Sequence, residues 1–269
     1  AEYSRSISEI KDEIYSLTTQ GVCEVTLLGQ NVNSWHGEDS KGNPKGLAHL
    51  IYEISNIEKI KRIRYTTSHP NNFDEETYLA YKKLPQLVSH LHLPIQSGSD
   101  RVLASMKRGY TVLEYKSVIN KLKKARPNIT FSSDFIVGFP GETEEDFLKT
   151  IDIIKEVNYD HSYSFIYSKR PGTPAASIID NVTSDEKKER LAFLKKTIDD
   201  LSKNKSQSII GEETEILVEG KSSKYKNMVT GRTTNNKIIN VLGDKKLIGK
   251  ILNVKVRQLE NKTLLGEIL

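Results

Sequence analysis

The stretch 130–147, TFSSDFIVGFPGETEEDF, constrains the fold more than any other part of this chain. Phe131, Phe135, Ile136 and Val137 make an aromatic and β-branched run of the kind carried by a strand covered on both faces, interrupted by Ser132, Ser133 and Asp134. Gly138, Pro140 and Gly141 stop that strand. Thr143, with Asp146 three residues on, spells a capping box ahead of Phe147, Ile151 and Ile154 at helical spacing. A buried parallel strand therefore feeds a helix through a glycine turn, and the carboxyl edge of such a sheet is where α/β folds hold ligands. Taken alone, GFPGET reads first as a tight connection.

The same unit recurs along the chain. Ile7, Ile10, Ile14 and Leu17 predict a helix over 6–19, and strands are expected at 22–28, 62–67, 88–95, 130–137 and 161–167. Between and after them, helical patterns cover 47–57, 74–83, 100–106, 112–124, 143–156 and 184–208, the last capped by Ser184. Five β-then-α repeats imply an α/β fold whose parallel sheet curves toward an incomplete (β/α) barrel. The strand ends are polar: Gln30 and Asn31, Ser68 and His69, Gln96 and Ser97, Tyr167 and Ser168. Beyond Gly211 the period shortens to strands at 214–218, 228–233, 238–241, 251–256 and 264–269, a small all-β barrel of oligonucleotide-binding type. Two domains follow, 1–205 and 206–269.

Composition narrows the class. No apolar run approaches a membrane span and the N-terminus is too polar for a signal peptide, so a cytoplasmic protein without a membrane partner is expected. Cys23 is the single cysteine, which excludes an intrachain disulfide and a cysteine-only metal site. The net charge is +5, of which residues 206–269, with 11 Lys and Arg against 7 Asp and Glu, hold +4. A basic small domain on a nearly neutral large one suggests a polyanionic partner, with a merely solvated lysine surface as the alternative.

Four longer motifs, LLGQNVNSW at 27–35, RYTTSHP at 64–70, HLPIQSGSDRVLASMKRGYT at 92–111 and the 130–147 stretch, occur together in this order. With KNMVTGRTTNNKIINV at 226–241 and the terminal LLGEIL, they resemble the MiaB-type tRNA methylthiotransferases, radical S-adenosylmethionine (SAM) enzymes, nearly end to end. The resemblance implies a truncated radical SAM barrel followed by a TRAM domain, and methylthiolation at C2 of N6-isopentenyladenosine beside the anticodon of tRNA. Sister enzymes acting on threonylcarbamoyladenosine or a ribosomal aspartate share the scaffold, but GQNVN is most like the isopentenyladenosine branch. The family's CxxxCxxC loop and its additional N-terminal domain, which together hold two 4Fe-4S clusters, are not in this sequence. The sequence is accordingly expected to be an inactive fragment without a cluster, and the intact enzyme to take electrons from a flavodoxin or ferredoxin.

The resemblance also assigns roles. Gln30 and Asn31 would accept from the SAM amino group, Arg108 would fork onto its carboxylate, and Gln96 and Ser97 would bond the ribose. The backbone of Val137, Gly138 and Phe139 would approach the adenine, with Tyr167 alongside and Ser68 and Asp134 completing the pocket. Without the cluster, SAM binding is expected to be weak. The blander alternatives are that Gln30 and Asn31 cap a strand, that Arg108 pairs with Asp100 or Glu114, and that Asp134 satisfies nearby amides. In the basic domain, Lys221, Lys224, Tyr225, Lys226, Arg232 and Lys237 would hold the tRNA anticodon arm through phosphates, so alanine at both Lys226 and Arg232 should flatten the salt dependence. Two other classes compete: a non-catalytic RNA-binding module and a phosphate-binding barrel enzyme using the 138–141 turn.

Overall fold

A computed structural model describes residues 3–39, 41–66 and 68–269. Thr67, part of the expected strand 62–67, lies outside them. Ser6 opens α1 (Ile7–Thr19): its hydroxyl accepts from Glu9 N–H while the Glu9 carboxylate takes Ser6 N–H. β1 (Glu24–Leu27) follows. The polar loop beyond it carries a short antiparallel hairpin, β2 (His36–Glu38) and β3 (Pro44–Gly46), that no alternating pattern announced. The chain then runs α2 (Leu47–Ser55), β4 (Arg62–Tyr65), α3 (Glu75–Lys83), β5 (His90–His92), α4 (Asp100–Ser105) and α5 (Val112–Ala125). β6 (Thr130–Val137), α6 (Glu144–Val157), β7 (His161–Ile166) and α7 (Ser184–Ser208) complete the first unit.

β1, β4, β5, β6 and β7 are parallel and sequential in space. β4 lies on β1, and β5 and β7 flank β6. The two groups join where Ile63 N–H donates to Gln86 O (2.8 Å) and Val88 N–H to Ile63 O (3.1 Å). Sequential parallel strands with right-handed crossovers put the helices on one side, α1 against α2, α2 against α3, α3 against α5 and α6 against α7. The result is an arc of a (β/α) barrel, as expected. Strand alternation then sorts the chemistry. Val25, Ile63, Leu91, Phe131, Phe135 and Val137 enter the core shared with the helices, while Glu24, Arg64, His92, Asp134 and Tyr163 turn to the uncovered face.

α7 is capped one residue before the position the sequence suggests. Thr183, not Ser184, accepts from Glu186 N–H through its hydroxyl and donates its own N–H to the Glu186 carboxylate, because Glu186 stands three residues beyond Thr183, the spacing a capping box requires. The expected boundary after residue 205 falls in this helix's last turn. β8 (Glu213–Lys221), β9 (Met228–Thr233), β10 (Ile238–Leu242), β11 (Ile251–Glu260) and β12 (Thr263–Ile268) form a closed barrel in the order β10-β12-β11-β8-β9. Its core is Ile216, Val218, Val229, Ile239, Val241, Val254, Val256 and Leu264.

This barrel docks on the amino-terminal ends of the parallel strands. Arg62, at the start of β4, donates to Arg232 O (2.5 Å) and to Glu215 Oε1 (2.9 Å). Asn235, in the β9–β10 turn, donates to Ser89 O (3.2 Å) and its carbonyl accepts from Thr130 Oγ1 (3.1 Å). The small barrel and the carboxyl edge of the sheet therefore lie at opposite ends of the same strands, about 25 Å apart for an eight-residue strand such as β6. Among the described residues, no helix is long and apolar enough to cross a membrane.

Candidate SAM and RNA sites

A cavity of about 670 Å³ opens at the carboxyl ends of β5, β6 and β7, lined by Gln96, Arg108, Asp134, Phe139, Phe165 and Tyr167 among others. Five of these six are sequence candidates. Gln96 is held at φ +77°, a region that costs a non-glycine residue, because both of its backbone groups are fixed: its N–H donates to Asp134 O (3.0 Å) and its carbonyl accepts from Ile136 N–H (3.0 Å). Arg108 pairs with neither Asp100 nor Glu114. Asp100 accepts from Val112 N–H and Glu114 closes the Thr111 cap, while Arg108 donates Nε–H to Tyr110 Oη (3.1 Å) and lies over that ring. No carboxylate among the described residues is within ion-pairing distance of its guanidinium, so its remaining donors are available to an anion in the cavity.

Gln30 and Asn31 lie elsewhere. They line a second cavity, about 710 Å³, between β1, α1 and Trp35. Gln30 is exposed, and Asn31 Oδ1 is buried without a hydrogen-bond partner. Ser68 is buried with its Oγ unpartnered, as is the Tyr167 hydroxyl, whose ring meets Phe139 edge-on at 5.1 Å. Orphaned buried acceptors and hydroxyls at three strand ends are what a polar ligand such as SAM would satisfy, and in that respect these residues fit it.

Three candidates do other work. Ser97 is 1% exposed; its Oγ faces Thr150 of α6 (3.4 Å) and accepts from Ser99 N–H, because Gly98 lets the strand end press onto the α6 backbone. Gly138 has φ +66°, and a Cβ there would meet Lys187 Cγ of α7 at 2.3 Å, so the missing side chain makes room for a helix rather than for an adenine. Its amide is also taken, donating to Glu142 Oε1 (3.1 Å). Val137 buries its side chain in the helix-side core. Asp134 satisfies no neighbouring amide; one oxygen lies 3.5 Å from His92 Nε2, and His92 Nδ1 meets Ser132 Oγ at 2.9 Å.

Two groups, Glu142 and His69, carry no role in the sequence reading, although His69 stands among its polar strand ends. Glu142 ends the GFPGE turn with its carboxylate buried, bonded to Arg190 Nη1 at 2.8 Å, and burial pushes its pKa above the ordinary carboxylate value. Its signal was an acid directly after a glycine turn, but its partner is 48 residues away on α7. His69 packs edge-on against Tyr110 (5.2 Å), and burial and the nearby Arg108 charge lower its pKa.

The basic candidates separate into two groups. Lys221, Lys224 and Lys226 are exposed around the β8–β9 connection, with Lys224 Nζ on Thr263 Oγ1 (2.9 Å) and Tyr225 Oη on Glu260 (3.3 Å). Arg232 instead forks onto Glu219 (2.7 and 3.2 Å) and donates to Asn236. Lys237 lies 3.4 Å from Asp160 at the junction with β7. Arg232 is matched by Glu219, and Lys237, which shares Asp160 with Lys205 (3.0 Å), is 16% exposed, so these two do not extend the exposed patch. Cys23 is half-buried at the other end of β1 from Gln30, its Sγ 3.7 Å from Gly249 O, and burial raises its thiol pKa.

Residues 1–154 match the family model described as Radical SAM superfamily, and residues 207–269 match the TRAM domain. The chain belongs to the radical SAM superfamily. Within it, the chain is 51% identical over 267 residues to the tRNA-2-methylthio-N(6)-dimethylallyladenosine synthase of Coxiella burnetii, covering 99% of this chain and 61% of that protein. The synthase of the same name from Francisella philomiragia is 50% identical over 268 residues, covering 100% and 61%. The chain thus spans 61% of the length of these two curated relatives. A solved coproporphyrinogen III oxidase from Escherichia coli, described as a radical SAM enzyme, gives a TM-score of 0.49 at 13% identity over 93% of this chain and 60% of its own, too distant to add to the family match.

Proposed function

We propose that this chain is the SAM-binding barrel and RNA-binding module, 1–205 and 206–269, of a tRNA methylthiotransferase acting on N6-dimethylallyladenosine beside the anticodon. The observation that carries the reading is the cavity at the carboxyl ends of β5 to β7, where Arg108 has no carboxylate partner and the buried Tyr167 hydroxyl no hydrogen-bond partner. Bound SAM, with a reduced 4Fe-4S cluster, supplies one-electron cleavage chemistry able to activate an inert carbon. This chain's residues orient the ligand. Arg108 holds the carboxylate and Phe139 and Tyr167 shield the adenine side from water, while the open acceptors of Asn31 and Ser68 lie outside this cavity, at the ends of β1 and β4. One cysteine cannot ligate a cluster, so its ligands would come from sequence outside these residues, in a cytoplasmic protein fed by a flavodoxin or ferredoxin.

Isothermal titration of this chain with SAM should give weak binding, because the chelating cluster is not part of it. Arg108→Gln should weaken that binding about tenfold or more, the loss of a charge-assisted bond to a carboxylate. Equal affinity in the variant would remove Arg108 from the site, and no SAM binding by the wild-type chain would refute the cavity assignment.

For the RNA, an anticodon stem–loop should bind with an affinity that falls steeply with salt. Substituting Lys221, Lys224 and Lys226 together by Gln should lower the log–log slope by about two to three, one phosphate contact each. Because Arg232 is paired to Glu219 and Lys237, sharing Asp160 with Lys205, is largely covered, changing them should leave the slope in place; this replaces the expectation built on Lys226 with Arg232. A slope that drops with Arg232 and Lys237 but not with the three lysines would move the RNA to the other side of the barrel.

A further inference from the structure

β7 alternates strictly. Ser162, Ser164 and Ile166 are partly covered, whereas His161, Tyr163 and Phe165 point to the uncovered face, with Tyr163 55% and Phe165 54% exposed. Half-exposed aromatic rings at consecutive positions of one strand face are costly in water unless something stacks on them. Their setting says what that is. Register places Tyr163 opposite Asp134 and Phe165 opposite Ile136, and Asp134, Ile136 and Phe165 all line the 670 Å³ cavity. Tyr163 is braced edge-on by His161 at 4.9 Å and by His92 at 6.2 Å, so its ring plane is set before anything binds. The side chain opposite Tyr163 is a carboxylate, which disfavours phosphate at that point. That carboxylate is Asp134; burial and the neighbouring His92 lower the pKa of His161. A flat, uncharged ligand with a hydrogen-bond donor on its edge meets both conditions.

We propose that Tyr163 and Phe165 form a stacking platform for one unstacked purine base of the RNA, and that the Asp134 carboxylate accepts from the exocyclic N–H of that base, oriented by His92. This rests on the RNA reading above and assigns Asp134 to the substrate instead of to SAM. The base enters the same cavity from the β7 side, so its ring edge is directed toward the Gln96 and Arg108 end where SAM is assigned. His92 is a positioning residue, since it touches Asp134 and not the base.

The test is a cycle that crosses protein and RNA changes. The RNAs are an anticodon-type stem–loop with adenosine following the three anticodon bases, and the same hairpin abasic at that one position. The proteins are the 269-residue chain and its Tyr163→Ala, Phe165→Ala double variant. Both side chains are more than half exposed, so the variant should fold, which circular dichroism and melting would verify. The wild-type chain should prefer the intact hairpin by about tenfold, in the range measured for one base stacked on an aromatic side chain. The double variant should bind both hairpins as the wild type binds the abasic one, and Tyr163→Phe should retain the preference. Equal weakening on both RNAs, or a wild type indifferent to the missing base, overturns the platform while leaving phosphate-mediated RNA binding intact. Binding to neither hairpin overturns the RNA reading as well.

Discussion

Replacing Arg62 by methionine should lower the unfolding free energy by about 3 kcal/mol and separate one denaturant transition into two. Arg62 is 2% exposed, yet it carries a full charge between the domains, reaching Arg232 O, Glu215 Oε1 and, at 3.9 Å, Glu24 Oε2. Removing one member of a buried ionic cluster costs about 3–5 kcal/mol, because the partners keep their desolvation without their compensation. The lower end applies because the Glu215 side chain is half exposed and can return to water and Glu24 keeps Arg64 Nε at 3.2 Å, which leaves the Arg232 carbonyl and Glu24 Oε2 to bear the loss. The methionine fills the space, so the loss is electrostatic rather than a cavity. Urea unfolding followed by the single Trp35, which reports the parallel unit, and by far-UV circular dichroism, which reports both, should diverge in the variant and coincide in the wild type. Coincident transitions at an unchanged midpoint would mean that the small barrel is held by other contacts.

Arg190→Met should cost a similar amount at neutral pH, about 3–5 kcal/mol, with a pH signature of its own. Glu142 would remain buried with Gly138 N–H as its chief hydrogen-bond donor. Its folded-state pKa, already raised by burial, would rise further, so the folded variant would hold a proton that the unfolded chain releases. A carboxyl shifted in this direction leaves stability unaffected below its unfolded value near 4.3; the penalty grows as pH rises through the raised folded value and is complete above it. The variant should therefore approach wild-type stability near pH 4 and fall behind it toward pH 8. Adding Glu142→Gln should recover most of the loss and flatten the profile. A deficit independent of pH would instead trace to the lost contact of the Arg190 guanidinium over the Phe147 ring.

The local grammar of this chain was readable because it is set within a few residues. The capping boxes at Ser6, Thr111 and Thr143 begin helices where the serine or threonine to acid spacing requires it. β6 runs from Thr130 to Val137 as its aromatic and β-branched pattern predicts, and α7 ends at Ser208. Sequential βα units and short strands after Gly211 follow from the same periodicities, as do the polar strand ends. The β2–β3 hairpin escaped notice because HGEDSKGNPKG offers turn residues and no alternation. The alternation of β7 was open to inspection, but which face of a strand meets helices depends on the sheet it joins.

What each side chain does was decided by partners distant in sequence. Ser97 and Gln96 are neighbours, and a strand sends one toward α6 and the other into a cavity; composition cannot say which. Gly138 reads as a place for a ligand until α7 brings Lys187 against it, and Arg232 reads as a phosphate contact until β8 brings Glu219 within 2.7 Å. Arg62, 153 residues from Glu215, became an interdomain anchor in the same way. Short-range order is encoded in propensity, periodicity and caps, which the sequence carries residue by residue. Charge pairing and burial depend on how elements far apart in the chain are packed, and only the tertiary structure supplies that.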